Sequence, residues 1–115
     1  MVKRFLFWLE GVVEDTPIPE EVNCILFVVT ANGEYKSVQM LGYEERVDLS
    51  KIAFNPLEAE FVFLHDFAKK ESAQFEYDLK LLIEESFCAN TLKKEFKNKK
   101  IYYMYKNKIM FLFKV

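Results

Sequence analysis

His65 is the one histidine of the chain, and Cys24 and Cys88 are its two thiols. A cysteine becomes a useful nucleophile when a base within hydrogen-bond reach takes its proton. The nucleophilic arrangements open to this sequence are therefore Cys24 with His65 or Cys88 with His65. A lone histidine cannot build an HExxH or paired-histidine metal site, so no metal centre is expected. Asp66 follows His65 directly, but in a strand neighbouring side chains point to opposite faces and do not form a dyad. Glu84 and Glu85 on a helix diverge by about 100°, and they read with Glu44 and Glu45 as solvated carboxylates. Gly11, Gly33 and Gly42 stand alone, so no glycine-rich loop is present to cradle a phosphate. No cofactor is expected, and the chemistry on offer favours binding over catalysis.

The most distinctive run is Lys93–Lys108, KKEFKNKKIYYMYKNK. Its lysines can meet phosphates while Tyr102, Tyr103 and Tyr105 stack on exposed bases, the ingredients of a single-stranded nucleic-acid site. Against that reading, the chain is acidic overall, with a net charge of −2, and its arginines are only Arg4 and Arg46. Lysine is also a common guard against edge-to-edge pairing of sheets. The charge is divided along the chain: residues 1–65 hold 5 basic and 11 acidic side chains, whereas residues 93–115 hold 8 lysines against Glu95. Side by side in one body, the two ends are expected to neutralise each other in part.

These side chains need elements to hold them. At 115 residues, with 51% hydrophobic and 30% charged side chains, the chain suits a single domain, 1–115, that folds without disulfides. Twelve Phe and six Tyr against three Gly indicate a packed, strand-rich body. Lys3 and Arg4 ahead of Phe5–Leu9 look briefly like a secretory leader, but the apolar run is too short and Glu10 interrupts it. A cytoplasmic protein with reduced cysteines is expected, away from membranes.

Ser72–Asn90 shows helical spacing, with Phe75, Leu79, Leu82 and Ile83 on one face and Asp66 or Ser72 as cap. Asn90 suits a left-handed closing position, and a short helical turn is expected from Thr91 to Phe96. The rest reads as strands: 2–13, 22–31, 34–43, a weaker piece at 51–54, and 59–65 with Phe61 and Phe63 facing one way. Pro17 and Pro19 place a loop at 14–21. Val22–Ala31 is apolar on both faces and marks a central strand. Asn32-Gly33 suits a tight hairpin turn, and Gly42 suggests a bulge or close backbone contact. A second hairpin spans 101–115 and turns near Lys106–Lys108, with Ile109, Phe111, Phe113 and Val115 directed to the core.

The expected fold is α+β: a curved antiparallel sheet of five to seven strands on one main helix, ending in a hairpin. One helix shelters one face of such a sheet, yet several strands are apolar on both. A bare second face of that size is unusual in a monomer, so the sheet curls or another chain covers it.

The functional expectation is a protein-binding module whose partner is another protein or a second copy of itself. One concrete form is a small acidic inhibitor or immunity-type protein that caps a basic enzyme. Glu14, Asp15, Glu20, Glu21, Glu44 and Glu45 would steer the encounter, with Trp8, Tyr35 and Tyr43 as anchors. The alternatives are a homodimeric ligand-binding or enzymatic domain with a pocket near His65, and the lysine–tyrosine nucleic-acid site.

Overall fold

A computed structural model describes residues 1–56 and 59–115. The elements run α1 (Val2–Asp15), β1 (Cys24–Asn32), β2 (Tyr35–Tyr43), β3 (Glu60–Val62), α2 (His65–Ala68), α3 (Ser72–Ser86), α4 (Asn90–Glu95), β4 (Lys100–Tyr105) and β5 (Lys108–Lys114). The fold is α+β, with the strands in one open sheet of order β3-β2-β1-β4-β5. β1 is the central strand, as its two-sided apolar pattern requires.

The sheet is mixed where an antiparallel one was expected. β1 and β2 form a hairpin and β4 and β5 another, but β1 and β4 pair in parallel. Parallel neighbours need a long crossover, and residues 44–99, carrying β3 and three helices, provide it.

The first segment corrects the reading of residues 2–13 as a strand. Phe5, Leu9, Val12 and Val13 also satisfy helical spacing, and they are the buried residues of α1. Phe7, which alternation would have placed on the same face as Phe5, is 80% exposed. α1 packs beside α3, so two long helices cover one face of the sheet. α3 buries Phe75, Leu79, Leu82 and Ile83, as its spacing predicts. Its cap is Glu71, whose carboxylate accepts from the Ala73 N–H at 2.7 Å, and not Asp66 or Ser72. Asn90 does not close α3 but opens α4; α3 ends at Phe87 in an ordinary right-handed conformation.

The core between helices and sheet is built from touching rings. Phe5 lies 5.9 Å from Phe27 and 5.3 Å from Phe61, centroid to centroid. Phe63 lies 5.4 Å from Phe75, and Phe87 lies 4.9 Å from Phe96. A lysine is packed among them: Lys36 is buried, donates to the Ala68 carbonyl and sits 4.8 Å from the Phe75 ring centre. That backbone acceptor and the ring face offset its loss of water.

Turns and edges settle the remaining strands. Asn32 stays in the β1–β2 ladder opposite Tyr35, so the turn is Gly33-Glu34, one residue later than the sequence suggests; only Gly33 has positive φ. In the second hairpin both turn residues, Lys106 and Asn107, adopt positive φ. The expected strand at 51–54 reduces to one bridge between Gly42 and Phe54, and that at 59–65 to three residues, with Phe61 and Phe63 both buried. A Cβ on Gly42 would lie 2.7 Å from Val22 Cγ1 and 2.8 Å from Phe54 Cβ, the close approach its position in a strand implies.

Candidate interaction face

Strand alternation divides the sheet residues into two sets. Ile25, Phe27, Val29, Val38, Met40, Phe61, Ile101 and Tyr103 belong to the core beneath the helices. Leu26, Leu41, Tyr102 and Phe111 are paired across neighbouring strands on the opposite face, as are Val28, Met104 and Ile109. No helix lies on that side among the described residues.

One part of this second face is closed. Cys24, Leu26 and Tyr43 are fully buried there, with Val28, Leu41, Val47, Tyr102 and Met104 packed around them. Their cover is the segment after β2: the Cys24 thiol donates to the Glu45 carbonyl at 3.5 Å, the Asn23 N–H bonds to the Tyr43 and Glu44 carbonyls, and Val47 joins the cluster. An Asp48–Ser50 turn, with 3.0 and 2.6 Å bonds to the Asp48 carboxylate, holds this cover in place. Burial pushes the Cys24 thiol up, keeping it in its weakly nucleophilic protonated form. Burial together with Asp48 raises Tyr43, whose hydroxyl has no hydrogen-bond partner among the described residues.

The other part is open. Phe111 is 53% exposed and Ile109 39% exposed, although alternation from Phe113 and Val115 would have sent both to the core. The cause is a register shift in the β4–β5 ladder: Phe113 pairs with Ile101 on the core face, but Phe111 pairs with Tyr102 on the opposite one. Leu112 is the extra residue, and such a bulge reverses alternation beyond it. Phe113 and Val115 thus pack on the core, while Phe111 sets its ring edge-on to Tyr102 at 5.3 Å. Nothing in the sequence signalled this inversion, so the residues it exposes were assigned to the wrong side.

The two sheet edges also differ. β3 has three residues, and Arg4 of α1 reaches over it to the Val62 carbonyl at 3.5 Å. β5 has seven residues and, among the described residues, no strand beyond it. Exposed lysines, Lys108 and Lys114, stand at its two ends. Among the described residues, no lysine of the segment 93–115 is ion-paired with a carboxylate; the pairs are His65–Glu34, Lys69–Asp66 and Lys70–Asp78. The expected neutralisation between acidic and basic ends does not take the form of ion pairs.

The residues expected to bind a partner are not gathered on one surface. Glu14 and Asp15 are exposed at the end of α1, and Glu20, Glu21, Glu44 and Glu45 are exposed on loops that lead into β1 and out of β2. Lys99 is buried nearby and donates to the Val22 carbonyl; burial lowers it, opposed by Glu20 and Glu21. Trp8 is half-buried against Phe5 and Phe61. Tyr35 is exposed at the hairpin end, its hydroxyl donating to Glu60 at 2.9 Å. Tyr43 is fully buried and reaches no surface, because its place opposite Cys24 carries it under the 44–48 cover.

The chemical groups are likewise apart. His65 is exposed at the start of α2 and meets Glu34 of the hairpin turn at 2.8 Å, which holds the Glu34 carboxyl below its ordinary range. Cys24 lies at the opposite end of β1, roughly 26 Å away by strand rise. Cys88 lies beyond the far end of α3, roughly 22 Å of helix from its start. Neither thiol therefore meets the histidine, and His65 lines none of the hollows beside Phe113, Ile52, Trp8 or Met104. Of the three tyrosines expected to stack on bases, Tyr103 and Tyr105 are buried, Tyr103 donating to Glu76. Among the described residues, no group of three or more His, Cys, Asp or Glu is placed to hold a metal ion, and no helix is long and apolar enough to cross a membrane. No protein family, no curated protein and no solved structure matches this chain.

Proposed function

We propose that this chain is a protein-binding module whose docking surface is the open part of the second sheet face, centred on Phe111 and Ile109, together with the free edge of β5. The observation that carries this reading is the inversion at Leu112, which turns two large apolar side chains away from the core and toward the open face. Full burial of an exposed Phe or Ile side chain is worth about 1.5–3 kcal/mol, and with roughly half of each still in water a partner that covers both gains about that much from the pair. Aromatic side chains set in a partly desolvated surround are the usual anchors of interfaces. Tyr102 and Met104 supply that surround here.

The acidic loops and Trp8 take a secondary place in this reading. Trp8, Glu14 and Asp15 belong to α1 on the helical side, whereas Glu44 and Glu45 lie on the loop that closes the neighbouring part of the Phe111 face, so no single inhibitory surface gathers all of them.

Capture from the native source with three forms of the chain tests the proposal: unaltered, Phe111→Ser and Phe7→Ser. Phe7 is the more exposed ring but lies on α1, away from this face. A protein retained by the unaltered and Phe7→Ser forms and lost with Phe111→Ser is the expected result. Retention of every captured protein by Phe111→Ser, with unchanged stability, overturns the reading.

A further inference from the structure

We propose that the occupant of the β5 edge is an extended, acid-flanked segment of another protein, which adds to the sheet as a sixth strand. This rests on the docking surface proposed above and names the chemistry of its partner. An edge strand offers a row of unpaired N–H and C=O groups, and an extended chain satisfies them by continuing the ladder. β5 is the long edge, unpaired among the described residues, while β3 is short and crossed by Arg4.

The lysines decide between occupants. Lys108 and Lys114 mark the ends of β5, and Lys100 is paired with Lys114 across the ladder. A second copy laid antiparallel brings the Lys108 end of one strand to the Lys114 end of the other; laid parallel, it brings each lysine to its own counterpart. Lys108 follows Tyr105 onto the helix side and Lys114 follows Lys100 onto the opposite side, so either arrangement gathers lysines around each strand end without an acidic side chain beside them, which disfavours self-pairing. A segment with Asp or Glu at its ends and apolar or β-branched residues between meets lysine with carboxylate at each end. Its middle residues then lie beside Phe111 and Ile109 on the open face.

The test uses a fluorescent, end-capped peptide of alternating Thr and Val with glutamates at both ends, titrated with the full chain. Three comparisons accompany it: the same peptide with lysine ends, the same peptide with N-methylated alternate amides, and both charge forms with a Lys108→Glu, Lys114→Glu double variant. The glutamate peptide is expected to bind about tenfold more tightly than the lysine peptide, the contribution of favourable pairing at two exposed ends. The preference should reverse in the double variant, and methylation at ladder positions should abolish binding.

Equal affinity for both charge forms, or binding that survives methylation in either register, overturns the added strand. Absence of binding also overturns it, as does a concentration-dependent dimer lost on Phe111→Ser, because a second copy then fills the edge. Failure of the peptide arms leaves capture of a native protein through Phe111 untouched, so the two proposals fail separately.

Discussion

The two faces of this sheet are made from the same kinds of residue and end in different states. On one, Phe27, Met40, Ile101 and Tyr103 lie under α1 and α3 with almost no exposure. On the other, Leu26 and Tyr43 are sealed by a short loop, while Phe111 and Ile109, on neighbouring ladder positions, face water. Hydrophobic composition thus does not set burial by itself. What sets it is which strand segment has a covering element within reach, and among the described residues the second face has only those after β2. The difference separates side chains that maintain the fold from side chains free to serve an interface.

The sharpest way to break this contrast is to truncate one ring from each face. Phe27→Ala should cost about 3–5 kcal/mol in urea unfolding, because a fully enclosed ring leaves a cavity. Phe111→Ala should cost under ~1 kcal/mol, since half of that ring is already in water. Comparable losses at both positions would show that the open face is as structural as the core.

A pair of glycines sharpens the same contrast between crowded and open ground. Gly42→Ala forces a methyl group against Val22 and Phe54 and should destabilise by about 1–3 kcal/mol. Gly11→Ala lies within α1 with nothing near the added methyl, and should stabilise by about 0.5–1 kcal/mol. Thermal melts of both variants measure the two signs.

Tyr43→Phe probes the sealed part of the second face. Its hydroxyl is buried without a partner among the described residues, so its removal should be neutral or stabilise by up to ~1 kcal/mol. A clear loss of stability would reveal a bond made by that hydroxyl.

The smallest effect concerns pH. Asp78 is held below its ordinary range by hydrogen bonds from Lys70 and Gln74. A carboxylate with a depressed folded pKa contributes stability above its unfolded pKa and loses it as pH falls through the folded value. Asp78→Asn should therefore lower stability slightly near neutrality and make the fall in stability toward acid less steep. An unchanged acid limb in pH-dependent unfolding would mean that the pair contributes nothing.

Much of the fold was legible in residue order because it depends on local patterning. The 75, 79, 82, 83 spacing marked α3, the two-sided run after Val22 marked the middle strand, and Gly42 marked a tight approach. The opening segment was misread because Phe5, Leu9 and Val13 satisfy both the two-residue and the helical repeat. Only the exposure of Phe7 separates them. The candidate site was far less legible. Its residues were visible as an apolar run with lysines, but the side each one faces depends on Leu112, whose type carries no bulge signal.

Local spacing by itself determined the α+β class, the main helix, the two hairpins and the identity of the central strand, because those features arise from short-range periodicity and turn chemistry. Tertiary structure alone decided that β1 and β4 run in parallel, that Tyr43 is sealed, and that Phe111 faces outward. Each of these depends on how distant segments meet, and pairing register is a property of two strands together.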